Sequence, residues 1–226
     1  MNSVAEVFAQ HVKSEGSALC LAPRDRKPLS RAEVWAQAND LADKLYAAGA
    51  RPGGRVTVGV EKAPGAFVLY MACNLAGFVY HPANIDYTDE ELRYLIGDAR
   101  PDVLVCAPQR EAALSEMGPH ATLTLDQLSG GTLMTAPGQD RPDYEAERDD
   151  WAALLYTSGT TGKPKGAMLS QGNLLSNALT LKEQWCFISE DRLLHMLPIF
   201  HAHGLFVAGN TCLVAGAAML FEPAFS

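Results

Sequence analysis

The sequence predicts an α/β fold, with mostly parallel sheets and helices on both faces. Short apolar runs with strand character alternate with stretches of helical periodicity. Two capping boxes, Ser30 with Glu33 and Thr88 with Glu91, mark helix starts. The run Val103-Leu-Val-Cys106 is apolar throughout, the pattern of a strand buried on both sides. Parallel strands need a crossover long enough to hold a helix, so strand–helix alternation predicts a parallel sheet.

Taken in order, Val4, Val7, Phe8 and Val12 fall on one helical stripe within 1–16, which predicts a folded helix and not an export signal. After Ser30, Val34, Trp35, Ala38, Leu41, Ala42 and Leu45 keep helical spacing until Gly49. Residues 55–60 read as a β-branched strand, 66–76 as a helix, and 78–81 as a strand closed by Pro82. Thr88 opens a helix ending near Gly97, and 103–106 is the next strand. Between about 130 and 150, Gly, Pro and acidic residues accumulate, which predicts a solvated connector between two α/β parts. A strand at 152–156, a helix at about 173–185, a strand at 192–197, a helix around 205–214 and a last strand at 217–221 follow.

The chain has 226 residues, one to two domains at roughly 150 residues each. Hydrophobic residues make up 48% and charged residues 19%, which excludes disorder as the main state. The net charge of −8 leaves no overall field for nucleic acid or anionic lipid. Cys20, Cys73, Cys106, Cys186 and Cys212 have neither zinc nor CxxC spacing and read as reduced thiols of a cytoplasmic protein. The apolar stretch 67–80 is interrupted by Asn74 and Gly77 and is too short to cross a bilayer.

The chemistry is concentrated in Thr157-Ser-Gly-Thr-Thr-Gly-Lys-Pro-Lys-Gly166, read as a loop between an apolar strand and a helix. Its glycines let backbone amides approach a ligand, its hydroxyls add donors and its two lysines add positive charge, a composition suited to cradling polyphosphate. It is not a Walker A loop, because Gly159 and Gly162 are too close and Pro164 follows Lys163. His201 follows a Pro-marked strand end, where open parallel sheets present ligand-facing side chains. His195 and His203 read as structural, Asn84 and Tyr87 as turn residues. A metal on His201 and His203 has no third ligand nearby, so no metal site is expected.

The loop closely resembles the phosphate-binding motif of the adenylate-forming enzymes, the group of acyl-CoA synthetases, luciferases and peptide-synthetase adenylation domains. Gly77-Phe-Val-Tyr-His-Pro-Ala-Asn84 and Leu197-Pro-Ile-Phe-His-Ala-His-Gly-Leu205 resemble further segments of that family, and their wording is most like malonyl-CoA synthetases. The resemblance implies a carboxylate attacking Mg-ATP to give an acyl-adenylate and pyrophosphate, after which coenzyme A displaces AMP. It makes Thr157, Ser158, Gly159, Thr160, Thr161, Gly162 and Lys165 the nucleotide contacts. His201 and Lys165 become the catalytic candidates, with His201 beside the acyl group.

The family's later adenine, ribose and hinge motifs and its C-terminal domain have no counterpart here, so the chain is expected to be a truncated N-terminal portion. Alone it is expected to be inert or nearly so, with an open sheet edge prone to self-association. A non-catalytic nucleotide-binding or interaction module, and a synthetase for another acid, stay open as alternatives.

Overall fold

A computed structural model of the chain describes residues 1–118, 120–129, 141–157 and 164–222. The elements run α1 (Val4–Glu15), β1 (Leu19–Pro23), β2 (Leu29–Ser30), α2 (Arg31–Ala47), β3 (Arg55–Gly59), α3 (Pro64–Ala76), β4 (Val79–Pro82), α4 (Asp89–Ala99), β5 (Val103–Cys106), α5 (Glu111–Ser115), β6 (Ala121–Thr124) and α6 (Leu125–Ser129). They continue with β7 (Trp151–Thr157), β8 (Lys165–Ser170), α7 (Gln171–Gln184), β9 (Arg192–His195), a π-helical stretch His203–Gly209, α8 (Asn210–Ala215) and β10 (Ala218–Phe221). The predicted class is the one found. The strands form a four-stranded sheet, β2-β1-β10-β9, and a six-stranded sheet, β6-β5-β3-β4-β7-β8. Pairing is parallel except in β1–β2 and β7–β8.

Helix α3 shows how the layers are joined. It is apolar all round, and Ala66–Asn74 and Ala76 are buried, as a helix between two sheets must be. Phe67 lies 6.1 Å from Phe221 of the small sheet, and Tyr70 lies 5.2 Å edge-on to Tyr80 of the large one. On β3 and β5, Val56, Val58, Val103 and Val105 face this interior. Leu104 and Cys106 face the other way, where Leu92 and Ile96 of α4 and Leu114 of α5 cover them. The centre of the large sheet is therefore buried on both sides, which is why β4 and β5 carry no alternation.

The stretch expected to connect two α/β parts joins halves that share both sheets, since β10 pairs β1 and β7 pairs β4. Its described part, 141–150, exposes Pro142, Asp143, Glu145, Glu147, Arg148 and Asp149, and a few residues between them anchor it. Ala146 is buried, Arg141 pairs with Asp43 at 2.9 Å and the Tyr144 hydroxyl donates to Asp150 at 2.7 Å. The Tyr144 ring lies where a side chain at Gly77 would be, 2.6 Å from an added Cβ. Gly77 also closes α3 at φ 71°, a left-handed conformation that suits glycine. Most of the acidic residues face solvent, and the anchoring is done by the few residues between the charges.

Strands β1, β2, β6 and β8 and helices α5 and α6 carry no strong periodicity and were not anticipated. The 205–214 helix begins earlier, as a π-helical run, and becomes α-helical only at Asn210. Both capping boxes are present, with Glu33 and Glu91 each accepting from the N-cap backbone at 2.8 Å. Among the described residues no helix is long and apolar enough to cross a membrane. All five cysteines are free, and only Cys186 is exposed.

Candidate nucleotide site

Strand β7 leaves the buried sheet at Tyr156 and Thr157, beyond the point where Ala153 pairs Tyr80 of β4. The next described residues are Pro164 and Lys165, and β8 runs back antiparallel, with Thr157 opposite Lys165 and Tyr156 opposite Gly166. This corrects the sequence reading: the loop closes a hairpin and leads to a strand, with the helix starting only at Gln171. Lys165-Gly-Ala-Met-Leu-Ser170 has a charge, a glycine and little β-branching, so pairing with β7 rather than propensity makes it a strand. The hairpin sits at the carboxyl end of the parallel strands, where open α/β sheets bind ligands.

Of the predicted nucleotide contacts, Thr157 and Lys165 are brought together. Thr157 Oγ1 donates to the Lys165 carbonyl at 3.5 Å, and both residues are exposed. Ser158, Gly159, Thr160, Thr161, Gly162 and Lys163 lie outside the described residues. A side chain at Gly166 would fall 2.8 Å from Leu154 Cδ1 and 3.4 Å from the Tyr156 ring, so the absence of one lets β8 close on β7.

Beneath the hairpin, the Tyr156 hydroxyl donates to Asp98 Oδ2 of α4 at 2.6 Å. Burial, and then this bond to a carboxylate, push the Tyr156 phenol well above its ordinary value. Its ring stands 5.1 Å from His81, which is buried, with Nδ1 2.9 Å from Thr57 Oγ1. Burial lowers His81 to about 4, so it is neutral at pH 7.

His201 lies in the turn between β9 of the four-stranded sheet and the π-helical stretch. Its side chain is exposed, 4.4 Å from the Phe200 ring, and its carbonyl accepts from the Leu205 amide at 3.0 Å. Of the two predicted catalytic residues, Lys165 opens β8 of the six-stranded sheet and His201 lies in the turn that follows β9 of the four-stranded one.

The sequence profile of the AMP-binding enzyme family matches residues 8–226. The chain belongs to that family. Feruloyl-CoA synthase from an Amycolatopsis species is 33% identical over 204 residues, covering 87% of this chain and 39% of the relative. Apo MatB from Rhodopseudomonas palustris superposes with a TM-score of 0.89 at 39% identity, over 100% of this chain and 46% of that one. ATP-bound MatB from the same organism gives 0.87 at 41% identity, with the same coverage. The chain thus spans less than half the length of these relatives.

Several further residues of this family member carry no sequence signal. Lys62, in the turn after β3, donates to the His195 carbonyl at 2.7 Å and lies 4.7 Å over the Phe221 ring. Burial lowers it to about 8, an effect Glu222 opposes. His195, read as structural, is buried, and its Nε2 lies 2.8 Å from the Gly204 carbonyl, closing the turn that carries His201. Asn84 is the turn residue expected: its Oδ1 accepts from the Asp86 amide at 3.1 Å. Tyr94 and Asp98 sit four apart on α4, a spacing visible in sequence; their partners across the sheet were not.

Proposed function

We propose that this chain is the phosphate-gripping N-terminal part of an ATP-dependent, AMP-forming acyl-CoA synthetase, with malonate the foremost acid. The observation that carries this reading is the placement of Thr157 and Lys165 at the open base of a hairpin on the carboxyl edge of a parallel sheet. The family match and the 41% identity to a structure described as ATP-bound support it.

In the reaction so read, a carboxylate oxygen attacks the α-phosphorus of Mg-ATP, and the bond to the β-phosphate bridging oxygen breaks. Pyrophosphate leaves with the electron pair. The coenzyme A thiolate then attacks the acyl carbon, and AMP departs with its phosphate oxygen. Negative charge grows on the β- and γ-phosphates during the first step. Backbone amides and hydroxyls supplied by 157–162 and the Lys165 ammonium would stabilise that charge. Residues 157–166 contain no carboxylate, so Mg²⁺ enters this reading as part of the nucleotide substrate and no step is drawn through it. His201, in the turn after β9, would stand at the acyl side.

The acid is the finer part of the proposal. Relatives are named for feruloyl, sulfoacetate, indoleacetate and oxalate chemistry, at 29–33% identity. Preference for malonate rests on the resemblance of 77–84 and 197–205 to malonyl-CoA synthetases, and on the higher identity to MatB. The chain by itself is expected to bind nucleotide without efficient turnover. ATP–pyrophosphate exchange, measured on the full gene product over malonate, oxalate, sulfoacetate, ferulate, indoleacetate and a fatty acid, tests the whole reading. Malonate should give the largest exchange rate. A larger rate with another acid would move the substrate assignment, and no exchange with any would remove the synthetase reading.

A further inference from the structure

Helix α4 touches both strands that border the phosphate loop. On the incoming side, the Tyr156 hydroxyl donates to Asp98 Oδ2 at 2.6 Å. On the outgoing side, the Tyr94 hydroxyl donates to the Pro164 carbonyl at 3.1 Å. Tyr94 and Asp98 are one helical turn apart on the same face, so one rigid element reaches both strands. The helix is itself well fixed: its Thr88–Glu91 capping box holds the start, and Leu92, Leu95, Ile96 and Ala99 are buried against the sheet. The hairpin has less to hold it. Lys165–Met168 of β8 are exposed at the sheet's edge, and the Thr157–Lys165 bond is long at 3.5 Å.

The geometry points to Tyr94 and Asp98 as positioning residues that staple the two ends of the phosphate loop to α4. They set the separation and orientation of Thr157 and Lys165. Neither touches nucleotide in this account; they act through Pro164 and Tyr156. The functional consequence rests on the nucleotide reading above, whereas the mechanical part does not.

The test is hydrogen exchange of β7 and β8 amides, with Mg-ATP titration on the same proteins. Tyr94→Phe removes only the hydroxyl, Asp98→Ala removes the acceptor, and Asp98→Asn keeps an acceptor. Without nucleotide, the first two should raise exchange in Gly166–Ser170 roughly 3- to 10-fold, the range expected for one lost hydrogen bond, while α4 itself stays protected. Asp98→Asn should restore most of the protection. Mg-ATP affinity should fall by a similar factor in Tyr94→Phe and Asp98→Ala, with affinity for the acid unchanged. Exchange equal to wild type in both variants overturns the staple. If exchange rises but ATP binds all variants as well as wild type, the positioning role is overturned. If wild type itself binds no ATP, the nucleotide reading fails, and the exchange data alone decide whether α4 holds the hairpin.

Discussion

Strands β4 and β5 and the edge strand β8 belong to one sheet and are built oppositely. Every residue of β4 and β5 is buried, whereas β8 is exposed from Lys165 to Met168. The buried strands hold the sheet in place through apolar contact on both faces. The hairpin takes its position from them and from α4, and spends its own residues on hydroxyls, glycines and lysines that could not be buried cheaply. A ligand loop placed at such an edge can be changed without unfolding the domain, so its variants should separate binding from stability.

The sharpest way to break this contrast is to remove a side chain from the interior and one from the edge. Phe67→Ala, which empties the contact between α3 and the small sheet, should cost about 3–5 kcal/mol in denaturant unfolding, while Met168→Ala should stay within about 0.5 kcal/mol. Equal losses would mean that the hairpin is part of the folding core.

A titration sharpens the same boundary. His81 is buried under Tyr156 and lowered from 6.5 to about 4. Its folded value lies below its unfolded one, so protons bind the unfolded chain first and stability falls as pH drops from 6.5 towards 4. The loss should approach roughly 3 kcal/mol if that shift is fully expressed. His195 is also lowered and acts in the same direction, so the measured quantity is the difference between wild type and His81→Gln, which should show a flatter pH profile. Identical profiles would show that His81 reaches solvent in the folded protein.

Smaller effects come from the ends of two helices. Gly77→Ala forces a side chain into a left-handed position against Tyr144 and should cost about 1–3 kcal/mol, read as a lowered thermal midpoint. Thr88→Ala removes the cap of α4 and should cost about 1 kcal/mol. If α4 anchors the hairpin, the latter should also loosen Tyr156 contacts, visible as increased exchange in β7.

The parts of this molecule legible in sequence are those where local chemistry and tertiary position agree. Ser30–Glu33 and Thr88–Glu91 specify helix starts through backbone bonds made within a few residues, and both are present. The buried run 103–106 likewise announced a strand between two covered faces. Strand β8 was illegible because its conformation comes from β7, and the anchor points within 141–150 were illegible because Tyr144 and Ala146 find their partners far along the chain. In the candidate site, the residue types suggested a chemistry, but the hairpin geometry and the α4 contacts depend on groups meeting across 58 and 70 residues of sequence. No periodicity encodes such meetings.

The central claim is that the loop between Thr157 and Lys165 grips the phosphates of a nucleotide. Isothermal titration of Mg-ATP into this chain and into its Lys165→Ala and Thr160→Ala variants addresses it most directly. The account predicts one site in wild type, affinity at least about 10-fold weaker in each variant, and thermal midpoints that barely move. Undiminished binding in both variants would place the nucleotide elsewhere and contradict it.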